Sequence, residues 1–146
     1  MTEFGRLVVG TREELFERAV ALAAGGRTGD VPFDIALSGG ATPKDWFRWC
    51  AARKGLPPAL ARAGRFSVSD ERCVPLHSEQ SNFGQADRLF LSPLRVPPEQ
   101  KQPWPVHLLP HEAAETYAAS RKDRLGRVAA YDVCFLGMGE DGHMAS

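Results

Sequence analysis

The tightest constraint on this chain is the passage Tyr131-Asp-Val-Cys-Phe-Leu-Gly-Met-Gly-Glu-Asp-Gly-His-Met-Ala-Ser146. Val133 to Leu136 is a run of β-branched, aromatic and aliphatic residues that suits a buried strand, with Cys134 expected as core filler. Gly137, Gly139 and Gly142 follow at close spacing and permit backbone approaches that a Cβ would block. Asp141 and His143 sit inside this turning loop, and the chain after them reads into the first turn of a helix. A strand that ends in such a loop sets these two side chains beyond the carboxyl edge of an open α/β sheet. That is where such sheets bind ligands.

A second unit of the same kind lies upstream. Phe33-Asp-Ile-Ala-Leu37 reads as a strand and runs directly into Ser38-Gly-Gly-Ala-Thr-Pro43. A helix with Trp46, Phe47 and Cys50 on one face then follows. Thr42 is the expected N-cap and Pro43 the first helical residue, where the missing N–H is harmless. Strand, glycine turn and helix start together make an anion site, because free backbone N–H groups and the helix dipole point outward. Ser38, Gly39, Gly40 and Thr42 are therefore candidate binding residues. The spacing fits neither the dinucleotide fingerprint nor the phosphate loop of nucleoside triphosphatases. A sugar phosphate is favoured over a nucleotide.

The rest of the chain fills in an α/β pattern. Arg6 to Val9 reads as a first short strand, and Thr11-Arg-Glu-Glu14 as a capping box that opens a helix ended by Gly25-Gly26. Arg65 to Ser69 reads as another strand, with Asp70-Glu-Arg72 hanging off its end. If the sheet is parallel, this loop shares an edge with the two glycine loops. A helix beginning at Ser81 carries Phe83, Ala86 and Phe90 inward, and Asn82 near its start is equally suited to binding a ligand or capping the helix. Prolines crowd positions 93 to 110, and a short strand over Val106 to Leu109 is expected to break that stretch. Residues 111–127 read as a helix with Ala113, Ala114, Tyr117 and Ala118 inward. The expectation is a single α/β domain over 1–146, a mostly parallel Rossmann-like sheet with helices on both faces.

Composition narrows the partners. Eighteen basic residues balance eighteen acidic ones, so no overall field draws the chain to nucleic acid or an anionic membrane. Cys50, Cys73 and Cys134 are scattered and odd in number, which argues against a disulfide framework and suits a reducing, cytoplasmic setting. The amino terminus lacks a signal-peptide pattern, and no apolar run reaches membrane-spanning length. His77, His107 and His111 have no metal-ligand spacing. No metal or other cofactor is expected. The oligomeric expectation is a monomer or a weak homo-oligomer.

Four pieces, in order, carry a family resemblance: Ser38-Gly-Gly-Ala-Thr-Pro43, Ser69-Asp-Glu-Arg-Cys-Val-Pro75, Ser81-Asn-Phe-Gly84 and Gly137-Met-Gly-Glu-Asp-Gly-His-Met-Ala-Ser146. They resemble the successive motifs of the 6-phosphogluconolactonases. The related glucosamine-6-phosphate deaminases and isomerases share the first and last pieces. They carry a Met-Asp-Glu-Tyr-type sequence where this chain has Ser69-Asp-Glu-Arg72, so Arg72 favours the lactonase. The resemblance implies a phosphosugar isomerase/deaminase-like fold. It also implies members that continue past this last motif with further basic residues for the substrate, so the chain reads either as a fragment or as a member that has lost that half. Met144 stands where the family more often has a small polar residue.

What the resemblance implies chemically is hydrolysis of 6-phosphogluconolactone in the oxidative pentose phosphate pathway. A strained ring ester is already electrophilic, so water activated by a histidine suffices without a covalent nucleophile or metal. His143 is the implied base and Asp141 the group that orients it. Arg72 is implied to grip the phosphate or to stabilise the oxyanion. Asp70, Asn82, Gly139 and Gly142 complete the candidate site. Two alternatives remain: an isomerising deaminase on an amino-sugar phosphate, and a non-catalytic sugar-phosphate-binding domain.

Overall fold

The computed structural model describes residues 5–25, 31–53, 55–125 and 130–144. Strands β1 (Phe33–Leu37), β2 (Gly64–Val68) and β3 (Val133–Cys134) form a parallel sheet in the order β2-β1-β3. Ile35 of the central strand stands opposite Phe66 on one side and Val133 on the other. Helices α1 (Arg12–Ala24), α2 (Ala41–Ala52), α3 (Pro58–Ala63), α4 (Asn82–Ala86) and α5 (Pro110–Leu125) surround it. A π-helical turn, Asp87–Leu91, extends α4. Among the described residues no helix is long and apolar enough to cross a membrane.

Every residue of β1 is buried, and alternation along the strands gives the sheet two different faces. Ile35 and Phe66 lie on one face, where Phe66 meets Phe90 edge-on at 5.8 Å and Phe90 stacks on Phe47 of α2 at 5.6 Å. Burial of each such phenylalanine contributes roughly 1.5–3 kcal/mol. Asp34, Arg65 and Ser67 lie on the other face, which α5 covers. There Ser67 and Tyr117 share a short hydrogen bond, Tyr117 and Tyr131 join at 3.2 Å, and Trp104 stacks on Tyr117 at 4.4 Å. Burial, then the Tyr117 hydrogen bond, holds the Tyr131 phenol well above its usual range. Asp34 is buried between Arg65 at 3.2 Å and Arg121 at 3.6 Å. Desolvated charges are tolerable only when paired in this way.

The capping box of α1 forms as its residues require. Glu14 N–H donates to the Thr11 hydroxyl, Thr11 N–H donates to the Glu14 carboxylate, and Gly25 closes the helix with φ of 60°. Gly26 lies outside the described residues, as do the end of the 111–127 helix beyond Leu125 and the helix start expected after Met144.

Several expectations are corrected. Arg6 to Val9 is not in the sheet, and Leu7 and Val9 are 82% and 85% exposed. Both edges of β1 are taken by β2 and β3, and the outer edge of β2 instead meets Lys101. Val106 to Leu109 is a turn, held by Val106 N–H to the Trp104 carbonyl at 2.8 Å and Leu108 N–H to the Pro105 carbonyl at 3.0 Å. Pro105 and Pro110 on its flanks have no N–H to give a ladder. On α5 the inward residues are Ala113, Tyr117 and Arg121, at a strict four-residue interval, while Ala114 and Ala118 are exposed. Cys134 is exposed rather than core filler, because β3 is an edge strand.

Candidate active site

All three strands run the same way, so the loops that leave β1, β2 and β3 emerge at one edge of the sheet. They line a cleft of about 410 Å³ with Ser38, Gly39, Gly40, Thr42, Asp70, Arg72, Asn82, Gly139 and His143 on its walls. Asp141 and Gly142 stand behind His143 in the same loop. The residues singled out in the sequence therefore converge, although they are spread over more than a hundred positions.

The loop after β1 turns sharply at Gly40, whose φ of 103° is open to glycine and strained for other residues. Gly40 is the N-cap of α2, and no side chain caps that helix. Thr42 is thus inside the helix and exposed rather than its N-cap, and Pro43 is the third helical residue rather than the first, because the glycine conformation lets the helix begin at Ala41. The uncapped amino end of α2 opens onto the cleft. Ser38 braces two loops: its hydroxyl accepts from Gly137 N–H at 3.2 Å, across 99 positions of chain.

The loop after β2 supplies the opposite wall. Asp70 Oδ1 accepts from the Ser69 hydroxyl at 3.1 Å, and Asp70 Oδ2 from the Asn82 amide at 3.3 Å. That amide also donates to the Asp70 carbonyl at 3.0 Å. Arg72 Nε lies 4.0 Å from Asp70 Oδ2, and the Arg72 side chain, more than half exposed, lines the cleft. Asn82 is neither an N-cap nor loosely placed. Ser81 caps α4, its hydroxyl accepting from Gly84 N–H at 2.9 Å, and Asn82 is buried against Gly39.

The loop after β3 folds on itself. Gly139 N–H donates to the His143 carbonyl and Gly142 N–H to the Gly139 carbonyl, both at 2.9 Å. Gly142 has φ of 84°, and a Cβ on Gly139 would stand 2.3 Å from the His143 ring. Those constraints put His143 Nδ1 2.5 Å from Asp141 Oδ1. Hydrogen bonds from the His143 side chain, then from its backbone N–H, hold the Asp141 carboxyl below its ordinary 3.8. Engaging Nδ1 leaves Nε2 as the ring nitrogen that the loop does not use, the arrangement that orients an imidazole to take a proton.

One residue of the site was not singled out by its sequence. Glu71, between Asp70 and Arg72, gathers four hydrogen bonds from its surroundings. Oε1 accepts from Arg72 N–H and Asn82 N–H, both at 2.7 Å, and Oε2 from Phe83 N–H at 2.9 Å and the Ser81 hydroxyl at 3.0 Å. Three of its four partners lie ten to twelve positions away, and only the acidic run before a Ser-Asn helix start hinted at them.

Architecture and cleft make this an α/β protein with its cleft beyond the carboxyl edge of a parallel sheet, the place where such folds receive ligands. The profile of the family described as "Glucosamine-6-phosphate isomerases/6-phosphogluconolactonase" matches residues 10–146. The chain belongs to that family. It is 39% identical over 115 residues to a 6-phosphogluconolactonase of Treponema pallidum, covering 77% of this chain and 47% of the relative. It is 33% identical to a human 6-phosphogluconolactonase over 139 residues, 89% of this chain and 50% of the relative. The solved 6-phosphogluconolactonase of Trypanosoma cruzi superposes with a TM-score of 0.77 at 27% identity, covering 94% of this chain and 60% of that one. The chain thus spans about half the length of the curated relatives it matches.

Proposed function

We propose that this chain carries the hydrolytic centre of a 6-phosphogluconolactonase. The observation that carries the reading is the His143–Asp141 pair, set at 2.5 Å in a cleft that also holds an uncapped helix N-terminus and the Arg72 guanidinium. The names of its relatives supply the substrate class. The two helix N-termini at the cleft are not equivalent. That of α4 is already filled by the Glu71 carboxylate, while that of α2 has no side-chain acceptor. The α2 end with Gly39 and Gly40 is therefore the natural seat for an anionic oxygen of the substrate.

In this reading a water attacks the lactone carbonyl carbon and His143 Nε2 takes its proton, forming a tetrahedral oxyanion. Asp141 stabilises the imidazolium. Collapse of the intermediate breaks the bond from the carbonyl carbon to the ring oxygen, and His143 returns the proton to that oxygen. The product is the open hydroxy acid. Arg72 meets the phosphate or the oxyanion. The substrate is a soluble phosphosugar, and the free thiols of Cys50, Cys73 and Cys134 support a cytoplasmic setting.

The test is the lactonase rate on freshly prepared 6-phosphogluconolactone above its spontaneous hydrolysis. His143→Ala is expected to lower turnover by about a hundred- to ten-thousandfold, with binding of 6-phosphogluconate nearly unchanged. Turnover that survives the substitution removes His143 as the base. A folded chain with no turnover and no 6-phosphogluconate binding removes the reading altogether.

A further inference from the structure

We propose that Glu71 is the positioning residue of the substrate wall, setting Arg72 in place for the ligand both directly and through Asn82 and Asp70. The inference rests on the functional reading above, in which Arg72 meets the substrate.

Glu71 itself is turned away from the reacting groups. Both its oxygens are spent on Arg72 N–H, Asn82 N–H, Phe83 N–H and the Ser81 hydroxyl. Charge-assisted bonds from backbone N–H groups are short and strong, and here they bind two separate segments to one carboxylate. One segment is the exit of β2 at Arg72. The other is the first turn of α4, whose N–H groups have no partner within the helix. Through Asn82 the effect spreads further, since the Asn82 amide holds Asp70 and its Oδ1 packs against Gly39. Asp70 in turn lies beside the Arg72 guanidinium. Arg72 is thus held at its backbone by Glu71 and at its side chain by Asp70, and Asp70 is held by an asparagine that Glu71 also anchors.

A carboxylate here also chooses between the two helix ends. With Glu71 seated, α4 offers no free amino end to a phosphate, so an incoming anion is directed to α2 and Arg72.

The experiment is a double-substitution cycle on kcat/KM for 6-phosphogluconolactone with Glu71→Gln and Arg72→Met. Positioning through Arg72 predicts losses of about tenfold and about a hundredfold for the single variants, and a double variant no worse than Arg72→Met alone. A merely structural role lowers the folded fraction alike in both backgrounds, so the losses multiply to about a thousandfold. Multiplying losses, or a Glu71→Gln variant with wild-type kcat/KM, overturn the proposal. Glu71→Asp keeps the charge but draws it back by one methylene, and it serves the same cycle should Glu71→Gln not fold. A wild-type chain with neither turnover nor 6-phosphogluconate binding instead overturns the functional reading, and with it the role of Arg72 on which this inference depends.

Discussion

The carboxamide of Asn82 lies directly against the α-carbon of Gly39, so close that a Cβ there would stand 2.1 Å from Asn82 Oδ1. Two segments that the chain separates by more than forty positions are thereby locked face to face, and the cleft takes its width from that contact.

Gly39→Ala is the direct test. The added methyl must push the buried Asn82 away and break its bonds to Asp70. Overpacking of this kind costs about 1–3 kcal/mol, read as a lower midpoint in urea unfolding. Gly84→Ala is expected to cost more, because its methyl meets the Leu76 backbone carbonyl at 1.8 Å, and a carbonyl cannot swing aside as a side chain can. Equal midpoints for wild type and both variants would contradict the packing.

Titration of Asp141 tests the His–Asp loop. Its folded carboxyl is depressed below the ordinary 3.8 by hydrogen bonds from His143. Because the folded value lies below the unfolded one, the loop's gain from ionised Asp141 is complete above the ordinary value. It fades as pH falls through the lowered one. Carbon-detected NMR should find a midpoint below 3.8 in the wild type and a return toward 3.8 in His143→Ala. A midpoint unmoved by His143→Ala counts against the pair.

How much of this was legible beforehand depended on whether a signal was local. Strand β1 and the cap at Thr11–Glu14 were legible because five consecutive buried residues and a four-residue box carry their own instructions. Arg6 to Val9 looked the same as a strand but stays outside the sheet, a matter of tertiary pairing that its own residues do not announce. The start of α2 was misjudged by two residues because Gly40 adopts a positive φ that no composition announces. That Arg72 and His143 meet at one sheet edge was legible, because their loops follow strands that read as parallel. Glu71 was not, since its partners are set by tertiary structure.

The buried Asp34 offers a test of the polar face. Asp34→Ala would strand Arg65 and Arg121, and Arg65 Nε and Arg121 Nη1 already have no hydrogen-bond partner. Removing one member of a buried ionic group costs about 3–5 kcal/mol. Thermal unfolding followed by circular dichroism should show the loss, with Arg121→Met in the same background recovering part of it. No change in midpoint would mean that the triad is solvated.

Thiol chemistry reads out the core. Burial pushes the Cys50 thiol up to about 12, while Cys73 and Cys134 are exposed. The raised value favours the neutral thiol in the folded chain, so its share of stability is complete below the ordinary 9.0 and wanes as pH climbs through the raised value. Ellman's reagent should label Cys73 and Cys134 in the native protein and Cys50 only after denaturation. Rapid native labelling of Cys50 would place it outside the core.

The self-closing turn from Gly139 to His143 has one more consequence, in the order in which the site comes apart. Bringing His143 to Asp141 closes a loop of very few residues, so little chain entropy opposes it. The cradle opposite is held by long-range ties, Ser38 to Gly137 and Gly39 to Asn82, each closing tens of residues of chain. Loosening the sheet edge releases those ties first and leaves the imidazole still beside its carboxylate. A partly melted molecule would lose its hold on an anion while keeping its proton acceptor intact.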